Sequence, residues 1–151
     1  MRDPVASSLT IRRATSADLP AVERLLQANG LILDDVAEGI DGFLVAEDRD
    51  AIVGTIGLEA YPPFGLLRSA AVEPMRHGSG LGGQLVDRLI ADARGRGLRA
   101  IYLFTPSAAG FFARHGFAQM ERDALPTEVK VSGQFTHSCG ASAVTMAREL
   151  A

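Results

Sequence analysis

Val72-Glu73-Pro74-Met75-Arg76-His77-Gly78-Ser79-Gly80-Leu81-Gly82-Gly83-Gln84-Leu85 is the stretch on which the reading of this chain turns. Four of the six residues 78–83 are glycine. An apolar run, Leu66–Val72, precedes it. An amphipathic pattern follows, with Leu81, Leu85, Val86, Leu89, Ile90 and Ala93 on one face and Asp87, Arg88, Asp92 and Arg94 off it. The segment therefore reads as strand, glycine turn, helix. Glycine admits positive φ and lets a ligand approach the backbone closely. The first N–H groups of a helix have no intrahelical partner and point into the turn, where the helix dipole adds partial positive charge. Such a turn suits a pyrophosphate, although a tight structural turn would use the same residues. Two other phosphate motifs do not fit. A Walker loop ends in Gly-Lys-Ser/Thr, which is absent. A dinucleotide fingerprint needs an acid at the tip of the next strand, whereas Ala100–Phe104 runs into Thr105-Pro106.

Outward from that turn, Leu9–Arg13 reads as an opening strand. Thr15 is placed to cap a helix, with Asp18 in a capping-box arrangement. Leu19, Val22, Leu25 and Leu26 recur at helical spacing until Asn29-Gly30. Leu31–Gly42 is acidic and partly apolar, and its pattern leaves a short helix or a loop open. Phe43–Ala46 and Ala51–Leu58 are predicted strands joined by the polar turn Glu47-Asp48-Arg49-Asp50. Tyr61-Pro62-Pro63-Phe64-Gly65 breaks the pattern before Leu66–Val72, and Pro74 closes that strand. Gly95-Arg96-Gly97 ends the long helix. Ala100–Phe104 is a strand, Ser107–His115 a short helix stopped by Gly116, and Phe117–Met120 and Ala141–Met146 the last strands. Strand, turn, helix, strand is a βαβ unit with parallel strands, while the tight turns before it make antiparallel pairs. The expected fold class is α/β or α+β, a mixed, mostly antiparallel sheet with helices on both faces.

The 151 residues fit a single domain over 9–151, with residues 1–8 as a disordered lead. A hydrophobic fraction of 47% against 22% charged residues is an ordinary soluble profile. No apolar run is long enough to span a membrane, and Met1–Ser8 lacks the apolar core of a signal peptide, so a cytoplasmic location is expected. Fifteen Lys and Arg against 18 Asp and Glu leave a net charge of −3. That balance argues against nucleic acid as the partner. The lone cysteine, Cys139, forbids an intrachain disulfide and any multi-thiolate metal site, so no metal is expected. A homodimer is left open.

Val72-x-Pro followed by Gly78-x-Gly80-x-Gly82 resembles the acetyl-CoA motif of the GNAT superfamily of N-acetyltransferases. Gly110-Phe111-Phe112-Ala113-Arg114-His115-Gly116-Phe117 resembles that superfamily's second signature, a short helix ending in Gly-Phe. The resemblance covers roughly residues 9–147 and implies acetyl-CoA as donor and a small amine as acceptor. It implies that backbone groups of Ala70 and Val72 bind the pantetheine arm and that the amides of His77, Gly78, Ser79, Gly80, Leu81, Gly82 and Gly83 hold the pyrophosphate. Ala71, Thr105 and Phe112 complete the implied cofactor set, and the strands carrying Val72 and Tyr102 would splay to admit the thioester. Two departures stand out. His77 replaces the usual Arg or Gln, a loss that Arg76 is expected to make good. Phe112 occupies a position where many members carry a tyrosine that protonates the departing thiolate.

A finer resemblance, carried by Gly57-Leu58-Glu59, Leu66–Val72 and a tail with Pro126, Phe135, Cys139, Ser142-Ala143 and Met146, is to arsenic-resistance N-acetyltransferases. The phenylalanine pair and the tail are also similar to the acetyltransferase domain of N-acetylglutamate synthase. Both imply a small acceptor that is an amino acid or resembles one. Arg68 lies in an apolar strand, where a cation needs an anion. It could grip an acceptor carboxylate or pair structurally with Glu59. Glu59 could be the general base, acting through water, or a strand-end acid. A backbone N–H near Val72 would polarise the acetyl carbonyl. His115 reads as a helix cap, and Cys139, near His137, as packing. The expected chemistry is direct attack of the amine in a ternary complex. The alternatives are an acetyl-CoA-binding regulatory module, for which Phe112 argues, and a protein or peptide N-acetyltransferase.

Overall fold

The computed structural model describes residues 9–132 and 143–150. Among the described residues seven strands form one sheet, in the order β1 (Leu9–Arg13), β2 (Phe43–Asp48), β3 (Ala51–Tyr61), β4 (Phe64–Val72), β5 (Ala100–Thr105), β7 (Val144–Glu149), β6 (Ala118–Met120). The chain divides into two compact units, one holding residues up to Gly57 together with Ser69–Leu89, the other Leu58–Arg68 together with the residues from Ile90 onward.

In the first unit, β1 (Leu9–Arg13) pairs antiparallel with β2 (Phe43–Asp48), and β2 with β3 (Ala51–Tyr61). The expected four-residue turn after β2 is shorter. Arg49 and Asp50 alone make it, at φ 53 and 69, the two left-handed positions of a tight hairpin. Glu47 and Asp48 are instead strand residues, because arginines neutralise them. Arg12 Nε donates to Glu47 at 2.9 Å and Arg76 Nη2 to Asp48 at 2.7 Å. The capping box forms as expected. Thr15 N–H donates to Asp18 Oδ2 at 2.8 Å ahead of a 3-10 turn, Ser16–Asp18, and helix α1, Leu19–Ala28. Arg12 also holds Asp18, at 2.9 Å. The Arg12 hydrogen bond, with help from Thr15, draws that carboxyl from 3.8 to about 2. Residues 31–42 resolve into turns and a 3-10 turn at Ile40–Gly42. Their Val36 and Ile40 complete a core with Val22, Leu25 and Leu26 of α1 and Phe43 and Val45 of β2. Gly57 makes that packing possible, since a Cβ there would lie 2.8 Å from the Phe43 ring.

In the second unit only Pro62-Pro63 separates β3 from β4. β3 runs to Tyr61 and β4 (Phe64–Val72) begins at Phe64, closer to the prolines than the sequence pattern suggests. The prolines sit in the turn, where no ladder donor is lost. β4 and β5 (Ala100–Thr105) pair in parallel from Phe64↔Ala100 to Leu66↔Tyr102, three positions, although β4 continues to Val72 and β5 to Thr105. The helix of the βαβ unit, α2, spans Leu81–Gly95. Helix α3 is Ala109–Ala113, shorter than expected, because Thr105 Oγ1 takes the Ala108 N–H at 2.9 Å and holds residues 105–108 as a turn. β6 is Ala118–Met120. A short helix α4, Thr127–Lys130, was not legible in the sequence. The last strand, β7, is Val144–Glu149 and runs past the expected end at Met146, in full antiparallel registry with β5 from Thr105↔Val144 to Ala100↔Glu149; residues 141 and 142 of the expected strand lie outside the described residues. Leu66, Leu125 and Val129 form the buried centre of a cluster bordered by Tyr61, Phe64, Tyr102, Phe104 and Met120.

Candidate active site

The glycine turn is built as its composition requires. After a 3-10 turn at Pro74–Arg76, Gly78 and Gly80 stand at φ 85 and 90, values that L residues with a side chain seldom adopt. A Cβ at either position would meet no protein atom within 4 Å. The backbone of 78–80 therefore faces open space, as a bound pyrophosphate requires. Ser79 Oγ lies 3.4 Å from the Leu81 N–H at the start of α2. That helix start is seated by the absence of a side chain on β3. A Cβ on Gly54 would lie 3.0 Å from Leu85 and 3.3 Å from Leu81. Arg76, expected to lend its charge to the turn, is bound by Asp48 instead. His77 Nε2 lies 2.9 Å from the Val72 carbonyl, which also accepts from Asn29 Nδ2 at 3.1 Å. The end of β4 is thus clamped by two side chains. From the sequence Asn29 reads only as a helix stop, and nothing in its sequence context marks this second contact.

Ala71 is buried in the core of the first unit, and Ala70 and Val72 are half-buried beside it. Ser69, just before them, has φ 60 in the middle of β4, a left-handed residue inside a strand, where a non-glycine is strained.

Arg68 and Glu59 meet. Arg68 Nη1 donates to Glu59 Oε2 at 2.9 Å, with the arginine side chain 1% and the glutamate side chain 18% exposed. Tyr61 Oη donates to Glu59 Oε1 at 2.6 Å. Both carboxylate oxygens are therefore held, one by a cation and one by a phenol. Glu59 and Tyr61 share a strand face at spacing i, i+2, a relation that the break expected around Tyr61 concealed. Tyr102 on β5 is raised above the ordinary phenol value, by burial first and then by Glu149 and Glu128.

Thr105 is buried, with its hydroxyl committed to the Ala108 N–H. Phe112 is also buried and stacks edge-on with Phe111 and Phe117. His115, expected to cap the helix, lies just past the Arg114 cap of α3, where its ring tilts against Phe111 and its carbonyl accepts from Arg148. Cys139 and His137 lie outside the described residues. Among the described residues, no group of three or more His, Cys, Asp or Glu could hold a metal ion, and no helix is long and apolar enough to cross a membrane.

Residues 39–119 match the family model described as the acetyltransferase (GNAT) domain. An amino-acid acetyltransferase of Mycobacterium tuberculosis is 33% identical over 129 residues, covering 79% of this chain and 74% of that protein. An amino-acid acetyltransferase of Serratia proteamaculans is 28% identical, and here the match covers 81% of this chain but only 30% of the longer relative. Among solved structures, a Mycobacterium tuberculosis protein in complex with CoA superposes with a TM-score of 0.80 at 28% identity, covering 94% of this chain and 99% of that one. N-acetylglutamate synthase from Neisseria gonorrhoeae gives a TM-score of 0.82 at 24% identity, covering 95% of this chain and 35% of that one. The chain belongs to the GNAT acetyltransferase family.

Proposed function

We propose that this chain transfers the acetyl group of acetyl-CoA to the amine of an amino acid within a ternary complex. The observation that carries the acceptor class is the buried Arg68, oriented by Glu59 on the β3–β4 hairpin. It gives an acceptor carboxylate a cationic fork in an apolar setting. The name of the Mycobacterium tuberculosis relative supports the same class, and the CoA complex of the similar structure supports the donor. Within residues 77–83 the backbone N–H groups not already donated inside the turn, as those of His77 and Ser79 are, hold the pyrophosphate, and backbone groups of Ala70 and Val72 hold the pantetheine arm. Ala71 packs behind them in the core of the first unit. The amine nitrogen forms the new bond to the acetyl carbon, the carbon–sulfur bond breaks, and the coenzyme leaves as thiolate. The amine proton passes to solvent by way of Glu59. A backbone N–H near Val72 polarises the carbonyl as an oxyanion donor does. Phe112 cannot donate a proton, and the modest basicity of a thiolate lets it leave without one.

Within amino acids, the resemblance of Leu66–Val72 to arsenic-resistance enzymes makes an arsenic-containing amino acid the first acceptor to try. Phe112 favours a second reading, an acetyl-CoA-binding module without catalysis. A thiol-release assay over amino acids, arsenic-containing amino acids, simple amines and peptides separates these readings. Turnover of amino acids is the expected result. Acetyl-CoA binding with no turnover on any amine would establish the module, and turnover of peptides alone would overturn the acceptor class.

A further inference from the structure

Asp48 is the last residue of β2, and its carboxylate is 4% exposed. A buried carboxylate is costly unless a cation meets it. The cation is Arg76, 2.7 Å away and 36% exposed, which reaches in from the lead-in to the glycine turn. Arg76 also organises that lead-in through its backbone. Its N–H donates to the Glu73 carbonyl at 2.8 Å, and its own carbonyl accepts the Ser79 N–H at 3.1 Å. Glu73 N–H in turn donates to Val53 on β3 at 2.8 Å, and the Glu73 carboxylate lies 3.8 Å from Arg76 Nε. The residue that bonds into the turn is thus the residue whose side chain is moored on the β2 end, and two acids meet its charge.

We infer that Asp48 and Arg76 form a strut that positions the glycine turn for the donor's pyrophosphate, with Asp48 a positioning residue remote in sequence from every group that touches the ligand. Arg76 does not replace the cation missing at His77. It fixes residues 77–80 through the Ser79 N–H that its carbonyl accepts, and the remaining backbone N–H groups do the binding. This inference rests on the acetyl-CoA reading above.

The test uses the full chain with Asp48→Asn, Arg76→Gln, the double variant and Arg76→Lys. Acetyl-CoA affinity is measured by calorimetry at low and high salt. Melting temperature, and kcat at saturating acetyl-CoA, are measured alongside. Each single neutral variant is expected to bind about tenfold more weakly, which is about 1.4 kcal/mol. The double variant should be no worse than the weaker single, because one interaction has been removed. Arg76→Lys should recover most of the affinity. The kcat at saturation and the salt dependence should stay as in the wild type, since screened phosphate contacts are untouched. If a single variant fails to fold, the double, which leaves no buried charge unpaired, carries the test. Wild-type affinity in the double variant, or additive losses, would overturn the strut. So would a loss in Arg76→Gln alone with a shallower salt dependence, which would place Arg76 on the phosphates. A wild-type chain that does not bind acetyl-CoA would instead remove the donor reading itself.

Discussion

Replacing Arg68 by Met removes a charge whose side chain is 1% exposed and whose partner, Glu59, lies 2.9 Å away. At that distance and an effective dielectric of about 20, the attraction is about 6 kcal/mol. Desolvation of the pair offsets part of it, and breaking such a pair costs about 3–5 kcal/mol of stability. That cost is the same whichever acceptor is offered, so comparing two acceptors cancels it. With an amino acid, Arg68→Met should also lose about 2–5 kcal/mol of transition-state binding, which is roughly thirtyfold to several thousandfold in kcat/KM. With the decarboxylated analogue of the same amino acid, the loss should be clearly smaller, limited to what releasing Glu59 from its cation does to proton transfer. Arg68→Lys should recover part of the difference, because an ammonium cannot make two parallel bonds. The assay is kcat/KM for both acceptors well below the melting temperature of each variant, with acetyl-CoA affinity measured as a control. Equal losses on the two acceptors would show that Arg68 serves the fold alone and would refute the carboxylate argument.

Gly80→Glu should leave the rest of the fold standing, since a Cβ there meets no other residue, yet lose acetyl-CoA binding, because a negative side chain is placed in the turn and strains its φ of 90; normal binding by calorimetry would contradict the placement of the pyrophosphate. Gly54→Val should cost about 1–3 kcal/mol in chemical denaturation, since its Cβ would start 3.0 Å from Leu85; an unchanged midpoint would mean that α2 is not seated there. Asp18 is depressed in the folded state, so the stability it contributes is full above 3.8 and lost as pH falls toward about 2. Arg12→Met should flatten the acid side of the melting profile across that window, and a slope equal to that of the wild type would show the ion pair to be idle.

Periodicity and glycine chemistry made most of the fold legible. The βαβ segment is local, and its strand, turn and helix each carry their own pattern. Errors fell where distant partners decide. Glu47 and Asp48 look like turn residues until Arg12 and Arg76 are known to neutralise them. Phe64 and Gly65 look like part of a break until β4 is seen pairing with β5 at Phe64↔Ala100. The ends of β7 follow from β5, a strand some forty residues earlier. At the site, Arg68 and Glu59 were legible because a charge in an apolar strand needs an explanation. Asn29 and Tyr61 were not, because a helix-ending Asn and a Tyr beside prolines already have ordinary local explanations.

The strand order also constrains how the chain can be made. β7 lies between β5 and β6, and both pair with it antiparallel. A ribosome releases Ala100–Thr105 and Ala118–Met120 well before Val144–Glu149. Until those last residues emerge, β6 lacks the neighbour it hydrogen-bonds to, and one side of β5 presents open N–H and C=O groups. Such an edge is a template for pairing with another nascent chain. In the order of synthesis, the strand that joins β5 to β6 arrives last. The β5–β6 side of the sheet is complete only once Val144–Glu149 can pair with both strands.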